Sequence, residues 1–302
     1  MMTFYSNGKL LLTGEYFVLN GSKSIALPCK KGQLLKVEPN IENNSILWET
    51  WDFNKKLIMT ASFNNNSLDF IEGSIKKSNL NQLRKILLYL KKKSPNCFNY
   101  PIKFITNLEF DINWGLGSSS TLINNLSQWA KIDPYELLEN TFGGSGYDIA
   151  CAQSKTPIIF QKINNSKKIE IINFKPVFHN KLFFVYLNRK QSSKLEIEKY
   201  YNLIKPNSTL INKISEISRK IILVKTQEEF NELINEHEKI LSKHLGVLSI
   251  KKKLFNTFNG EIKSLGAWGG DFILVSGLNG DIKQYFHDLG YKTIIKYSDM
   301  VI

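Results

Sequence analysis

The sequence predicts an α+β fold with two lobes, and three observations support this fold class. The chain has 302 residues, of which 42% are hydrophobic, so it can bury a sizeable core. Its first half mixes short apolar strands with amphipathic helices, and its second half separates strands by helices. The second pattern is typical of an α+β sandwich with helices on one face of the sheet. We expect an N-terminal domain over residues 1–177 and a C-terminal domain over residues 178–302.

Apolar spacing and turn residues predict the elements of the first half. Short apolar runs bounded by turn residues are typical of strands, and leucines at helical spacing are typical of a helix. The predicted strands are 9–19, 24–28, 33–39, 45–53, 57–63, 100–110, 156–163 and 168–174, and the predicted helices are 80–93, 119–132 and 133–142. Asp133, Pro134 and Glu136 form a capping-box pattern at the start of the last helix.

The second half begins near residues 175–180, where the pattern changes to strongly apolar strands and longer helices. The predicted strands are 181–188, 271–277 and 291–298, and the predicted helices are 192–203, 210–225, 227–245, 248–259 and 280–290. Two histidines on the third of these helices, His237 and His244, are seven residues apart. Zinc-binding helices space their histidines by four, so we expect both to lie on a helix surface.

The net charge of +13 admits an anionic partner, either a nucleic acid or a phosphorylated small molecule. However, Lys, Asn and Ile are abundant throughout, and the lysine runs carry no interleaved aromatic residues. The favoured explanation of the charge is therefore compositional drift of the kind that an AT-rich genome produces. A nucleic-acid-binding protein is the least favoured function. Trp48, Trp51 and Trp129 are expected in the core or on a lobe surface rather than in a base-stacking platform.

Cysteine usage and hydropathy predict a cytoplasmic protein. Cys29, Cys97 and Cys151 are far apart and lack the spacing of a metal site, which favours reduced thiols. No apolar stretch approaches the ~18 residues of a membrane helix, so no membrane association is expected. The N-terminal segment lacks the basic region and cleavage site of a signal peptide.

The stretch GLGSSS, from Gly115 to Ser120, lies between a predicted strand and a predicted helix. Glycines let the backbone approach a ligand closely, and the start of a helix offers free amide groups and a positive dipole. The loop can therefore bind an anion, with serine hydroxyls available to a phosphate or to Mg²⁺. Since it is not a Walker A loop, a plain glycine turn that caps a helix is an equally good interpretation of this stretch alone.

Three further glycine-rich stretches are weak signals individually. GKLLLTGEY places Lys9 at the head of a strand and Glu15 at its far end, where a solvated lysine is the simpler interpretation. GGSGYDIACA places Asp148 after a glycine turn, where it either caps a helix or acts on a hydroxyl. SLGAWGGDFILVSG leads into a buried strand.

Taken in order, these four motifs resemble the GHMP kinase superfamily, whose members phosphorylate small metabolites. The resemblance covers nearly the whole chain, and GKLLLTGEYFVL, GSGYDIACA and GAWGGD are most similar to phosphomevalonate kinases, with mevalonate kinases next. It implies a two-lobed GHMP kinase fold with a mixed β/α N-terminal lobe and a ferredoxin-like C-terminal lobe. It also implies ATP and Mg²⁺ as cofactors, a small-molecule acceptor, and a monomer or homodimer.

The same resemblance implies roles for individual residues. The loop residues Gly115, Leu116, Gly117, Ser118, Ser119 and Ser120 would hold the ATP phosphates, with Ser119 and Glu139 as candidate Mg²⁺ ligands. Asp148 and Lys9 would be catalytic: Asp148 would orient or deprotonate the acceptor, and Lys9 would lie near the transferred phosphoryl group. The acceptor would contact Lys9, Glu15, Tyr16, Ser145, Gly146, Ser192, Ser193, Gly269, Gly270 and Asp271.

Two departures from the family pattern leave alternatives open. Trp268 replaces a glycine of the last motif, and no carboxylate aligns cleanly with the second Mg²⁺ ligand of mevalonate kinases. Glu136 is expected to cap its helix, which leaves Glu139 as the candidate. The most favoured acceptor is 5-phosphomevalonate, with mevalonate as the alternative. A GHMP-like regulator that binds nucleotide without catalysis is the alternative from another class.

Overall fold

A computed structural model describes residues 1–41, 43–164, 166–189, 196, 198, 200, 202, 205–268, 270–278 and 281–302. The strands are β1 (Met2–Leu11), β2 (Ser24–Pro39), β3 (Ser45–Trp51), β4 (Leu57–Asn64), β5 (Phe70–Glu72), β6 (Ile102–Leu108), β7 (Ile158–Ile163), β8 (Ser166–Ile171), β9 (Leu182–Tyr186), β10 (Gly260–Ser264), β11 (Phe272–Gly277) and β12 (Ile294–Lys296). The helices are α1 (Lys77–Lys93), α2 (Ser118–Ala130), α3 (Pro134–Thr141), α4 (Tyr147–Gln153), α5 (Ser208–Leu223), α6 (Gln227–Leu245), α7 (Ile250–Leu254), α8 (Ile282–Asp288) and α9 (Tyr297–Met300). Within the described part of the chain, no helix is both long and apolar enough to cross a bilayer.

The described residues form two compact units. The first contains Met1–Gly8, Lys31–Ile112 and Leu116–Gln153, and the second contains Lys9–Lys30, Asn113–Gly115 and Ser154–Ile302. These units divide the chain differently from a single break after residue 177. The predicted domain boundary at that point stays a prediction.

The first unit contains a mixed sheet with strand order β5-β4-β3-β6-β2. The predicted hairpin is confirmed, since β3 and β4 pair antiparallel, and β3 also pairs parallel with β6. Helices α1 to α4 supply the rest of a large apolar core. Trp48 and Trp129 lie in this core, and each packs against Phe104 with ring centroids 5.1 and 4.9 Å apart. Of the two predicted locations, the core and a lobe surface, these two tryptophans occupy the core.

The second unit contains an antiparallel sheet with strand order β10-β11-β9-β12. Consecutive strand residues point to opposite faces of a sheet. Ile262 of β10 packs in a core with Ile250 of α7 and Phe286 of α8, whereas Lys263 contacts Glu238 of α6. Helices therefore cover both faces of the sheet at β10, and the expectation of helices on one face is wrong.

Several predicted elements differ from the structure at glycines and polar segments. Strand β1 ends at Leu11, because Gly14 and Tyr16 have φ angles of 82° and 63° and turn the chain. The two strands predicted over 24–39 are one continuous strand, β2. Helix α7 ends at Leu254, and β10 follows it although its sequence, GEIKS, lacks an apolar alternation that sequence analysis could recognise. Most of the helix predicted over 192–203 lies outside the described residues.

Candidate active site

The Gly115–Ser120 loop leads into α2, as the sequence predicts. Gly117 is the N-cap residue with a φ of 88°, and Ser118, Ser119 and Ser120 form the first helical turn. The first amide groups of an α-helix have no acceptor within the helix, so this turn presents donors and the positive end of the helix dipole. Ser119 is exposed and Ser118 is half-buried. This arrangement can bind an anion.

The side chains of Leu116 and Ser120 are buried and therefore not available to bind a ligand. Leu116 is fully buried, so only its backbone is available. Ser120 is 1% exposed, and its hydroxyl donates to the Gly117 carbonyl at 2.9 Å. A phosphate at this turn would therefore meet backbone amides and the hydroxyls of Ser118 and Ser119.

A buried polar network within the first unit fixes α2. The Asn125 amide donates to the Gln33 carbonyl at 2.9 Å and accepts from the Ser6 hydroxyl at 2.7 Å. The Thr121 hydroxyl donates to Gln33 Oε1 at 2.6 Å, one turn after the glycine loop. The Asn124 amide in turn donates to Ser6 Oγ at 2.8 Å. Since each of these groups is buried, the network holds the start of the helix in one position relative to β1 and β2.

Asp148 lies in the first turn of α4, which packs against α2. The turn before it contains Gly144 and Gly146, with φ angles of 112° and 90°, and the half-buried Asp148 carboxylate accepts from the Ile149 amide at 3.2 Å. Gln153, on the same helix, donates to Asn124 of α2 at 3.0 Å. The polar network therefore links the helix of Asp148 to the helix that follows the glycine loop.

Ser145 and Tyr135 are two further polar residues near Asp148 in the first unit. Ser145 is buried, and its hydroxyl accepts from the Tyr147 amide at 3.4 Å. Burial, followed by the charges of Asp133 and Asp148, raises the pKa of Tyr135 to about 12. The Tyr135 phenol thus lies within electrostatic reach of Asp148, a relationship that no motif in the sequence indicates.

Glu136 does not form the predicted capping box. Asp133 does cap α3, accepting from the Tyr135 amide at 2.9 Å, but the Glu136 carboxylate binds Lys93 at 2.5 Å and the Tyr89 hydroxyl at 2.7 Å. These two contacts lower the pKa of Glu136. Glu139 is exposed on the same helix.

The protein side chains at this site can hold a Mg²⁺ ion only if most of the metal ligands are phosphate oxygens and water. Within the described ranges, no three His, Cys, Asp or Glu side chains are placed to hold a metal ion. Mg²⁺ is commonly bound through one or two protein oxygens, with phosphate oxygens and water completing the octahedron. The exposed Ser119 hydroxyl meets that requirement, and a bound nucleotide would supply the phosphates.

Lys9, Gly115 and Asp271 come together in the second unit. Lys9 lies inside β1 rather than at its head, is half-buried, and donates to the Gly115 carbonyl at 3.1 Å. A Cβ atom built on Gly115 would lie 2.4 Å from Asp271 Oδ2. Asp271 has a φ of 52°, and its backbone amide donates to the Arg189 carbonyl at 2.7 Å.

Glu15 and Tyr16 are both buried in the second unit. The Glu15 carboxyl group accepts from Lys263 Nζ at 2.6 Å, and neither side chain has solvent-accessible surface. Tyr16 accepts from the backbone amide of Trp268 at 3.3 Å, and its ring lies 5.1 Å from that of Tyr200. Burial raises the pKa of Tyr16 to about 12.

The last glycine motif is partly described. Gly270 is buried, and Trp268 packs in a cluster with Tyr16, Phe17 and Leu241. The Trp268 side chain that replaces a glycine is therefore a core residue of the second unit. Gly269, Ser192 and Ser193, which were predicted to contact the acceptor, lie outside the described residues.

The polar residues that support these motifs are not recognisable from the sequence. The prediction that His237 lies on a helix surface is wrong, because its side chain is completely buried and its Nε2 accepts from the Gly14 amide at 3.0 Å. Lys263, Asn124 and Asn125 were not singled out. The available signal was a polar residue on an otherwise apolar face, which the sequence alone does not distinguish from an exposed position.

Comparisons with known proteins identify the fold. The sequence matches no protein-family model and no curated protein. A mevalonate kinase structure from Methanococcus jannaschii superposes with a TM-score of 0.67 at 18% identity, covering 97% of this chain and 96% of that one. Streptococcus pneumoniae phosphomevalonate kinase, in complex with phosphomevalonate and AMPPNP, gives 0.69 at 14% identity and covers 97% and 99%. Lactococcus lactis galactokinase with galactose gives 0.65 at 12% identity and covers 99% and 93%.

All three proteins are GHMP kinases, and the superpositions extend over nearly the full length of each chain. The sequence motifs led to the same superfamily independently of the superpositions. The chain therefore has the α+β fold of the GHMP kinases.

Proposed function

We propose that this chain is an ATP-dependent kinase of a small metabolite. The observation that carries the proposal is the turn at Gly117–Ser119, where a glycine loop leads into a helix that begins with the half-buried Ser118 and the exposed Ser119. The fold is shared with kinases of small molecules, one of which has been crystallised with the ATP analogue AMPPNP. Both observations are independent of the acceptor.

In this proposal the backbone amides at the start of α2, with Ser118 and Ser119, bind the nucleotide phosphates. Phosphoryl transfer requires little covalent assistance from the protein, so positioning and charge stabilisation are the main contributions. Lys9 adds a positive charge for the transferred phosphoryl group. When bound, Mg²⁺ would neutralise phosphate charge, with Ser119 and Glu139 as the proposed protein ligands.

The proposed acceptor is 5-phosphomevalonate, which would be converted to the diphosphate. This choice rests on the motifs GSGYDIACA and GAWGGD, which resemble those of phosphomevalonate kinases more than those of mevalonate kinases. A phosphate oxygen needs no deprotonation at neutral pH, so Asp148 would orient and polarise the acceptor.

Mevalonate is the second candidate, because mevalonate kinases are also among the superposed structures. Its acceptor group is a neutral hydroxyl, whose proton must be removed as the phosphoryl group is transferred. Asp148 would then act as a general base. Replacing Asp148 should therefore reduce kcat more severely if the acceptor is mevalonate than if it is 5-phosphomevalonate.

Release of ADP in the presence of each acceptor tests the proposal. We expect turnover with 5-phosphomevalonate, a loss of about 100-fold in kcat for Asp148→Ala because the acceptor is no longer oriented, and retained ATP binding by that variant. Turnover with mevalonate alone would select the second candidate. ATP binding without turnover on either acceptor would instead indicate a nucleotide-binding regulator, and absence of ATP binding would refute the kinase assignment.

A further inference from the structure

Four consecutive residues after β1 are each tied to a different place in the second unit. The Thr13 hydroxyl hydrogen-bonds the Ser218 hydroxyl of α5 at 2.7 Å, and the Gly14 amide donates to His237 of α6 at 3.0 Å. Glu15 accepts from Lys263 of β10, and Tyr16 accepts from the Trp268 amide beyond that strand. We call Thr13–Tyr16 the anchored segment. Its conformation depends on buried contacts with helices and strands that are distant in sequence.

Gly14 can be replaced by no other residue without moving part of this segment. Its φ is 82°, and a Cβ atom at this position would lie 2.0 Å from Ser24 Oγ. The Gly14 backbone thus lies in close contact with Ser24 of β2 and also donates a hydrogen bond to His237. This close approach brings the Glu15 side chain into the interior.

The Glu15 carboxyl belongs to a group of four buried ionisable side chains, Glu15, His237, Glu238 and Lys263, which we call the buried quartet. Lys263 Nζ lies 2.6 Å from Glu15 Oε1 and 3.0 Å from Glu238 Oε1. His237 Nε2 lies 3.5 Å from Glu15 Oε2, and His237 Nδ1 lies 3.8 Å from Glu238 Oε1. Tyr16 also interacts electrostatically with Glu15. No side chain of the quartet is more than 5% exposed.

The hydrogen bond from Gly14 determines the protonation of His237. Because the Gly14 amide donates to Nε2, that nitrogen must carry a lone pair, and the ring proton must be on Nδ1. His237 is therefore neutral, and the nitrogen that carries its proton, Nδ1, lies 3.8 Å from Glu238 Oε1. Burial, followed by the charge of Lys263, lowers the pKa of His237 to about 4, in agreement with this geometry.

With His237 neutral, the quartet contains one cation and two carboxyl groups. A net charge in a buried site is unfavourable, so one carboxyl group should keep its proton. Glu15 Oε2 is the oxygen that faces the lone pair of His237 Nε2, and a carboxylate there would be repelled. Glu238 instead accepts a hydrogen bond from the Ser264 amide at 3.2 Å, and the protonated Nδ1 of His237 lies 3.8 Å from its Oε1. Both contacts favour the ionised form of Glu238.

The pKa shifts agree with this assignment. Burial raises the pKa of Glu15 to about 8, although the charge of Lys263 opposes the shift. Burial also disfavours the charge of Glu238, but Lys263 and His237 outweigh it, and the pKa of Glu238 is lowered. Burial alone would lower the pKa of Lys263, but its contacts with Glu238 and Glu15 outweigh burial and raise the pKa.

We propose that Glu15 is a positioning residue that is a neutral acid in the folded chain and holds the anchored segment, rather than a ligand of the acceptor. Leu12 alone separates the anchored segment from β1, the strand that contains Lys9 and its contact with the Gly115 carbonyl. Glu15 thereby acts on Lys9 through the backbone. This last step rests on the proposed kinase function, whereas the protonation of Glu15 does not.

The protonation is tested by comparing unfolding of the wild-type chain and Glu15→Gln between pH 6.5 and pH 8. An acid that is neutral when folded but ionised when unfolded loses stability as pH rises toward its folded pKa. We expect the unfolding equilibrium constant of the wild type to rise about 15-fold more than that of Glu15→Gln over this range. Equal pH dependence in the two proteins would overturn the proposal.

Two further variants keep this test decisive. Glu216→Gln removes an exposed carboxylate from α5 of the same unit and should follow the wild type. Glu238→Gln leaves Lys263 with Glu15 as its only carboxyl partner in the quartet, which should ionise Glu15 below pH 6.5 and remove the pH-dependent loss. If the pH-dependent loss of stability persists in Glu238→Gln, the charge balance of the quartet is not what keeps Glu15 protonated, and the proposal fails.

Kinetics then distinguish a positioning residue from a ligand. A positioning role predicts that Glu15→Gln changes the pH profile of kcat above pH 8 and leaves the acceptor KM within about twofold. A KM raised at least tenfold at every pH would show that Glu15 binds the acceptor. If the wild type has no turnover, the proposed function fails, while the unfolding comparison still decides the protonation of Glu15.

Discussion

Gly115 and Asp271 are so close that no side chain fits between them: a Cβ atom on Gly115 would lie 2.4 Å from Asp271 Oδ2. The φ of Gly115 is 67°, which also disfavours other residues. Glycine is therefore required at position 115 for two reasons, the backbone conformation and the contact with Asp271 of the last glycine motif.

Gly115→Ala should accordingly destabilise the chain by about 2–4 kcal/mol, through strain and overpacking together. Gly143→Ala is a matched control, since its φ is 72° and its Cβ would have no neighbour within 4 Å. The control should lose only about 1 kcal/mol. Chemical denaturation of both variants measures the difference, and equal losses would show that Asp271 does not constrain Gly115.

Asn125→Ala should destabilise the chain by about 2–3 kcal/mol, because it removes the acceptor of the buried Ser6 O–H and the side-chain donor to the Gln33 carbonyl. Asn140→Ala removes an exposed helical asparagine and should change stability by less than about 0.5 kcal/mol. Urea unfolding compares the two. A similar small effect in both would mean that the polar network does not fix α2.

Lys263→Met should cost about 3–5 kcal/mol, since it leaves a buried carboxylate without its cation. The double variant Lys263→Met/Glu238→Gln should recover a large part of that loss, because the remaining members of the quartet are neutral. Thermal and denaturant unfolding of the two single variants and the double variant measure the coupling free energy between Lys263 and Glu238. Additive losses would be inconsistent with the charge balance described here.

The pKa of His237, lowered to about 4 from 6.5, predicts acid sensitivity. Below pH 6.5 the unfolded chain binds a proton that the folded chain does not accept until about pH 4, so stability falls as pH decreases through this range. Relative to His237→Gln, the wild type should lose about 3 kcal/mol between pH 7 and pH 4. Comparing the two proteins removes the contributions of other groups. Parallel pH curves would show that His237 is accessible to protons in the folded chain.

The sequence predicted the parts of the fold that depend on local patterns. The glycines and serines at Gly115–Ser120 indicated both the turn and the start of α2, and apolar spacing located α1, α2 and the β3–β4 hairpin. The order of the four glycine-rich motifs along the chain indicated the GHMP kinase fold.

The sequence could not predict features created by long-range contacts. Glu15 and Lys263 are 248 positions apart, and nothing near either residue indicates that their side chains meet. His237 lies on an amphipathic helix with charged neighbours, so its burial depends on tertiary packing. The short strand β10 was missed because its Lys263 and Glu261 are polar yet buried.

The central claim is that the start of α2 binds the triphosphate of ATP, and a crystal structure with a non-hydrolysable ATP analogue tests it most directly. We expect phosphate oxygens within hydrogen-bonding distance of the backbone amides of Gly117–Ser120. Nucleotide bound elsewhere, with this turn free of phosphate, would contradict the account.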